Sequence, residues 1–219
     1  MKKTFVVAAI ALITVLLSVA CTTPNSTTSS NNQATPAAIA ARAPRQSYWV
    51  TATRVKPEMM PQFREFYLKE TLPAQQKAGV KQQSVWVSAS LGESFEYVTI
   101  RPIEGLQQFD EPSPLAEALG EEGFRKWNAK RATMIVSSRS YVTQSRPEMS
   151  IASNPNDALK LIFVTRRGIA PGRGTEYENY FKSEVLPIIK KTNPKGYSVR
   201  RVTTGGNTDE YISAVLVDS

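Results

Sequence analysis

Two stretches of the chain decide its fold: WVTATRVKPEMMPQFREFYLKETLPAQQKAG, residues 49–79, and FVTRRGIAPGRGTEYENYFKSEVLPIIKKTN, residues 163–193. A shift of 114 residues aligns them without a gap and places Val50 on Val164 and Glu70 on Glu184. The prolines and aromatic residues keep this register: Pro57/Pro171, Pro73/Pro187, Trp49/Phe163, Phe63/Tyr177, Phe66/Tyr180 and Tyr67/Phe181. Self-similarity at a fixed offset is the signature of an internal repeat, so the chain is predicted to contain a duplicated unit.

Each copy reads as a strand, a helix and two more strands. Apolar residues in the helix recur at i, i+3, i+4, i+8 and i+11, which indicates one buried helix face. The predicted stripes are Phe63, Phe66, Tyr67, Thr71 and Ala74 in the first copy and Tyr177, Tyr180, Phe181, Val185 and Ile188 in the second. The predicted strands are 48–55, 82–89 and 96–101, and then 159–169, 197–203 and 210–217.

Only the first copy continues, with a predicted helix at 114–134 and a fourth strand at 139–144. The order βαββαβ predicts an α+β protein of tandem ferredoxin-like repeats, the second of them incomplete. Nothing in the second copy corresponds to residues 106–144, so its first strand is expected to have an unpaired edge. Two explanations stay open: the sequence is a truncated form of a longer protein, or a homodimer covers the gap.

The predicted domain plan has five parts: a signal peptide at 1–20, a disordered tether at 21–46, repeat 1 at 47–146, a linker at 147–158 and repeat 2 at 159–219.

The duplicated pattern resembles the dimeric α+β-barrel superfamily, with NIPSNAP-like and antibiotic-biosynthesis-monooxygenase-like proteins as its nearest branches. The residues that carry the resemblance are Pro171-Gly172-Arg173, Tyr177, Tyr180-Phe181, Glu184-Val185-Leu186-Pro187, Gly196-Tyr197, Gly205-Gly206 and Glu210-Tyr211. The resemblance implies two ferredoxin-like units that face each other and form a barrel within one chain. The superfamily includes haem-degrading enzymes, cofactor-free monooxygenases and isomerases, so the fold alone does not define a function.

The N-terminus indicates export. Lys2 and Lys3 precede an apolar stretch at 4–17 and the only cysteine, Cys21. This arrangement resembles a bacterial lipoprotein signal peptide, which implies acylation of Cys21, cleavage before it and membrane attachment through the lipid. The protein is expected in the cell envelope, and Thr22 after the cysteine predicts the outer membrane, facing the periplasm, in a Gram-negative cell. The alternative is an ordinary secretory signal in which Cys21 has no special role.

Composition excludes several kinds of chemistry. The sequence has no histidine, which excludes histidine general bases, Ser-His-Asp triads and histidine-ligated metal or haem. The net charge is +8, yet the basic residues are scattered and form no nucleic-acid motif. We therefore expect no cofactor, no metal and no nucleic-acid partner.

The remaining candidates for chemistry lie on the repeated helix and strands. Glu70 and Glu184 fall at i+7 in the apolar stripe, where burial would raise the pKa of a carboxyl group and favour a general base. The alternative is that Pro73 and Pro187 disturb the helix and each glutamate bonds to a local backbone group or pairs with an arginine. The other candidates are Tyr97 and Tyr211 as catalytic hydroxyls, Trp49, Trp86 and Tyr180 as pocket residues, and Arg54, Arg101, Arg166 and Arg200 as binders of an acidic ligand, with core packing or exposure as the alternative for each.

Two functions follow. The first is a lipid-anchored protein that binds a small apolar or amphipathic ligand or acts as a scaffold. The second is a cofactor-free monooxygenase or isomerase that uses a pocket glutamate and tyrosine.

Overall fold

The computed structural model describes residues 44–88, 93–154 and 161–217. The predicted signal peptide and Cys21 lie outside the described residues, as do nearly all of the tether and part of the linker. Seven strands form within these ranges: β1 Ser47–Val55, β2 Ser84–Val87, β3 Glu96–Ile103, β4 Ile135–Ser145, β5 Leu161–Gly168, β6 Gly196–Thr204 and β7 Glu210–Val217. The α-helices of the described chain are α1 Met60–Phe66, α2 Leu72–Lys77, α3 Pro114–Met134, α4 Gly174–Tyr180 and α5 Leu186–Lys191.

All seven strands form one antiparallel sheet in the order β2-β3-β1-β4-β6-β7-β5. Strand β4 joins the two repeats, because its C-terminal half pairs with β6 from Val142↔Thr204 to Ser145↔Arg200. Each repeat therefore contributes part of a single curled sheet, and the predicted α+β fold of two ferredoxin-like units is confirmed. Strand β4 begins four residues before the prediction because its first residues pair with the end of β1, where Val55 lies opposite Ile135.

The two outer strands of the sheet are β2 and β5. Within the described ranges only β7 pairs with β5, so the unpaired edge predicted for the second repeat is confirmed. Apolar side chains are exposed at this edge, among them Phe163, whose exposed fraction is 51%. Truncation and homodimerisation both stay predictions.

Each repeat interrupts its helix with one π-helical segment, Tyr67–Thr71 in repeat 1 and Phe181–Val185 in repeat 2. Pro73 and Pro187 explain the position of these segments, because proline has no N–H and its ring clashes with the carbonyl four residues earlier. The wider turn avoids the clash, and the N–H of Leu72 donates to the carbonyl of Tyr67, five residues back.

The helices pack on one face of the sheet and bury two aromatic clusters. The cluster of repeat 1 contains Val55, Phe63, Phe66, Tyr97 and Met134, and that of repeat 2 contains Met149, Phe181, Leu186, Tyr197, Val199 and Tyr211. On the opposite face, Val50, Tyr141 and Val202 pack together across the junction between the repeats. All five predicted stripe residues of repeat 1 are buried, which confirms that helix face.

The predicted stripe of repeat 2 is wrong at two positions, because Tyr180 and Ile188 are exposed. In repeat 1 the counterpart of Tyr180 is Phe66, whose ring lies 5.9 Å from that of Trp127 on α3. The described part of repeat 2 has no helix equivalent to α3, so the same helix face has nothing to pack against.

Candidate functional site

A cavity of about 190 Å³ lies in repeat 1 between its helices and the sheet. Its aromatic walls are Trp49, Phe63, Phe66, Tyr67, Tyr97 and Trp127. The polar side chains that line it are Thr51, Thr53, Thr71, Gln75, Gln83, Thr99, Ser113, Arg101 and Arg131. A concave site that combines aromatic walls with polar side chains can hold a small amphipathic molecule, and we call it the repeat-1 pocket.

Strand alternation builds the floor of the repeat-1 pocket. Trp49, Thr51 and Thr53 alternate along β1, so their side chains share the face that the helices cover. On β3 the residues opposite them are Arg101, Thr99 and Tyr97, in that order. Thr51 and Thr99 therefore form the centre of the floor. Trp49 and Arg101 lie at one end of it, and Thr53 and Tyr97 lie at the other.

The π-helical segment decides which side chains of the first helix reach the pocket. A π turn adds one residue, so Thr71 takes the inward position that Glu70 would have in a regular α-helix. Thr71 is buried, and its hydroxyl accepts a hydrogen bond of 3.1 Å from the indole N–H of Trp127. This bond fixes the Trp127 ring as a wall of the pocket.

The prediction that Glu70 and Glu184 are shielded from solvent is wrong. The Glu70 side chain is 43% exposed and forms an ion pair with Lys130 on α3, while Glu184 is exposed. The alternative, a bond to a local backbone group or a pair with an arginine, does not describe Glu70 either, because its partner is a lysine on a different helix. No carboxylate lines the repeat-1 pocket in the described part of the chain.

The pocket contains two tyrosine hydroxyls whose pKa values are raised. Burial raises the pKa of Tyr67 to about 12, although a hydrogen bond from the Gln83 amide acts in the opposite direction. Burial also raises the pKa of Tyr97. Both hydroxyls stay protonated at neutral pH and are suited to donate hydrogen bonds rather than to accept a proton. Gln83 also donates to the side-chain oxygen of Gln75 at 3.1 Å, which holds the wall around Tyr67 in place.

Two arginines lie in the pocket without a carboxylate partner. The Arg131 guanidinium donates from Nη2 to the hydroxyls of Ser138 at 2.8 Å and Thr53 at 3.2 Å. The Arg101 guanidinium lies over Trp49, 4.2 Å from the ring centroid. Burial lowers the pKa of both arginines, and neither forms an ion pair within the residues that the structure describes.

The other predicted site residues do not all lie in the repeat-1 pocket. Trp49 and Tyr97 line the pocket as expected. Trp86 lies opposite Val98 on the other face of the sheet, because strand alternation turns Val85 rather than Trp86 toward the helices. Tyr180 is on the surface of repeat 2.

Tyr211 belongs to a buried hydrogen-bond network of repeat 2 and does not line the repeat-1 pocket. Its hydroxyl donates to Glu178 Oε1 at 2.8 Å, and the Nε of Arg146 donates to the same oxygen at 3.1 Å. Burial raises the pKa of Tyr211 to about 12, and the hydrogen bond to Glu178 acts in the same direction. This network attaches the segment after β4 to the first helix of repeat 2.

Sequence reasoning placed Tyr67 and Thr71 on the buried helix face without assigning them to a pocket, and it missed Arg131. Arg131 lies one helical turn after Trp127, and a cation beside an inward-facing tryptophan on the same helix face was the available signal. In the described ranges no group of three or more metal-ligating side chains occurs. None of the described helices is long and apolar enough to cross a membrane.

Comparisons with known proteins identify the fold. No protein-family profile matches the chain, and no curated protein matches it. Among solved structures, an anthrone oxidase-like protein superposes with a TM-score of 0.53 at 12% identity, over 82% of this chain and 75% of its own. The chain therefore shares the ferredoxin-like α+β fold of this structure.

Two further structures illustrate the range of these matches. A protein from Lactobacillus acidophilus NCFM with a provisional monooxygenase name matches over 79% of this chain and 77% of its own, at 5% identity and a TM-score of 0.49. An uncharacterised NIPSNAP-like domain protein from Burkholderia xenovorans matches over 44% of this chain and 82% of its own, at 12% identity and a TM-score of 0.38.

Proposed function

We propose that this protein is lipid-anchored in the cell envelope and binds a small amphipathic molecule in the repeat-1 pocket. The pocket is the observation that most directly supports ligand binding. It combines tryptophan walls at Trp49 and Trp127 with a floor of threonine hydroxyls, and it has no carboxylate among the described residues. Such a lining favours binding of a partly apolar molecule over acid–base catalysis.

Filling the pocket is expected to abolish binding. Thr99 lies in the middle of the floor, and Thr99→Phe places an aromatic ring in a cavity of about 190 Å³. Phenylalanine is favourable in a strand, so β3 should still form. Native mass spectrometry of protein purified from membranes should detect a bound small molecule on the wild type and at least a tenfold lower occupancy on Thr99→Phe.

Thr99→Val is the matched control, because it keeps the size of the side chain and should keep the ligand. Equal occupancy in Thr99→Phe and the wild type would place the ligand elsewhere. Circular dichroism of both variants should show an unchanged fold.

The anchor has its own test. Cys21 is the only cysteine, so Cys21→Ser removes the one thiol that could be acylated. A lipidated protein is held firmly by its acyl chains, and the variant should therefore move from the membrane pellet to the soluble fraction and lose palmitate labelling. A variant that stays in the pellet would contradict lipid anchoring through Cys21.

The alternative function is a cofactor-free monooxygenase or isomerase, and the name of the anthrone oxidase-like protein favours an oxidation. The hydroxyls of Tyr67 and Tyr97 would then orient a substrate in the repeat-1 pocket. The glutamate of the expected Glu–Tyr pair is not there, since Glu70 contacts Lys130 on the outside. Oxygen consumption with an anthrone substrate, lost in Thr99→Phe, would favour this alternative.

A further inference from the structure

Arg131 lines the repeat-1 pocket and has only neutral hydrogen-bond acceptors among the described residues. A guanidinium has five N–H donors, and the described residues accept hydrogen bonds from Arg131 only at Thr53 and Ser138. Both acceptors are neutral hydroxyls on the sheet, so they orient the guanidinium without neutralising it. The remaining donors are available to a ligand.

The surroundings of Arg131 also provide a flat apolar wall. The Arg131 guanidinium lies 5.9 Å from the centroid of the Trp127 ring, one helical turn away on α3. The indole of Trp127 is fixed by its hydrogen bond to Thr71. A ring that packs against Trp127 therefore lies within reach of the Arg131 donors.

We propose that the repeat-1 pocket selects small aromatic carboxylates and that Arg131 binds the carboxylate group. This inference rests on the proposed ligand-binding function and specifies its ligand class. Arginine binds a carboxylate with two parallel, charge-assisted hydrogen bonds, which are stronger than bonds between neutral groups. The absence of any ion pair of Arg131 in the described chain means that a ligand carboxylate would not have to displace a protein carboxylate.

The cavity has the size of a single aromatic ring. A cavity of about 150 Å³ accommodates benzene in proteins. The repeat-1 pocket, at about 190 Å³, has room for one aromatic ring with one acidic substituent. Arg101 lies at the other end of the floor, four positions along β3 from Tyr97, and its stacking on Trp49 places it away from Arg131.

Benzoate and its neutral analogue benzamide test the inference, because they have nearly the same shape and differ in charge. We expect isothermal titration of the full-length protein in detergent to show at least tenfold tighter binding of benzoate. Arg131→Met should remove this preference by weakening benzoate binding to the level of benzamide. Arg125→Met is the matched control, since Arg125 is an exposed cation on the same helix and contacts only Glu122 in the described structure.

Each other outcome overturns the inference in a recognisable way. Equal binding of benzoate and benzamide to the wild type would leave ligand binding intact and reject anion selection. If the preference for benzoate survives in Arg131→Met and disappears in Arg101→Met, Arg101 and not Arg131 binds the carboxylate, and the inference is wrong. If neither compound binds while Thr99→Phe still loses a co-purified molecule, this inference fails alone. If Thr99→Phe has no effect either, the proposed function fails with it.

Discussion

Replacing Glu178 by alanine is expected to lower the free energy of unfolding by about 3–5 kcal/mol, since this is the usual cost of breaking a buried ion pair from one side. The Arg146 side chain is only 5% exposed, and Glu178 is its one carboxylate partner in the described structure. The same carboxylate oxygen accepts the Tyr211 hydroxyl. The substitution therefore leaves a buried guanidinium without a counter-charge and a buried hydroxyl without its acceptor. Urea denaturation followed by circular dichroism measures the loss.

Two further variants separate the ion pair from other effects. Glu176→Ala, two residues away, removes an exposed carboxylate paired with Arg173 and should leave the free energy of unfolding nearly unchanged, because exposed ion pairs contribute little. The double variant Arg146→Met/Glu178→Leu removes both charges together and should be more stable than Glu178→Ala, because no unpaired charge stays buried. A loss below about 1 kcal/mol for Glu178→Ala would show that the network contributes little.

The pH dependence of stability provides an independent measurement of the same network. Burial alone raises the pKa of Glu178, but the hydrogen bonds from Tyr211 and Arg146 outweigh it and hold the pKa below its ordinary value of 4.5. A carboxyl group with a lowered pKa stabilises the fold above its unfolded pKa, and this contribution is lost as the pH falls through the folded pKa. The difference in stability between the wild type and Glu178→Gln should therefore narrow below pH 4.5. A constant difference down to pH 3 would contradict this role for Glu178.

The repeat register was enough to predict the fold, because it depends on apolar spacing that both copies share. It did not predict the site, because the site depends on the ways in which the copies differ. Glu178 has Arg64 as its counterpart in repeat 1, so the Arg146–Glu178 pair has no repeated signal in the sequence. For Glu70 the spacing and the proline gave opposite indications: a seven-residue spacing on a regular helix faces inward, and the π turn before Pro73 reverses it.

The sequence did not predict the pocket residues on α3, and the reason is different. Trp127 and Arg131 belong to the part of repeat 1 that has no counterpart in the described repeat 2. Their inward positions depend on how α3 crosses the first helix, and contacts between elements far apart in the chain are not encoded in local spacing. The kink of α3 at Gly120, whose φ is +69°, is a local feature that favours glycine, since a residue with a side chain rarely adopts this conformation.

The same substitution in the two repeats is expected to have very different effects. Phe66→Ala should lower the free energy of unfolding by about 3–5 kcal/mol, the usual cost of removing a buried phenylalanine side chain. Phe66 is 3% exposed and packs against Trp127. Tyr180→Ala, at the corresponding position of repeat 2, should change it by less than about 0.5 kcal/mol, because Tyr180 is 57% exposed and an exposed side chain contributes little. Urea denaturation of the two variants under identical conditions measures the contrast.

A large loss for Tyr180→Ala would contradict the exposure of this helix face in solution and would mean that something covers it. Protein concentration then identifies a second copy as the cover, since the stability of an associating protein rises with its concentration and that of a monomer does not. Phe181→Ala controls for the fold of repeat 2, because Phe181 is 1% exposed and should be costly to remove in either case. A small loss for Tyr180→Ala, a large loss for Phe181→Ala and a midpoint independent of concentration would together establish that the second repeat is stable with this face open.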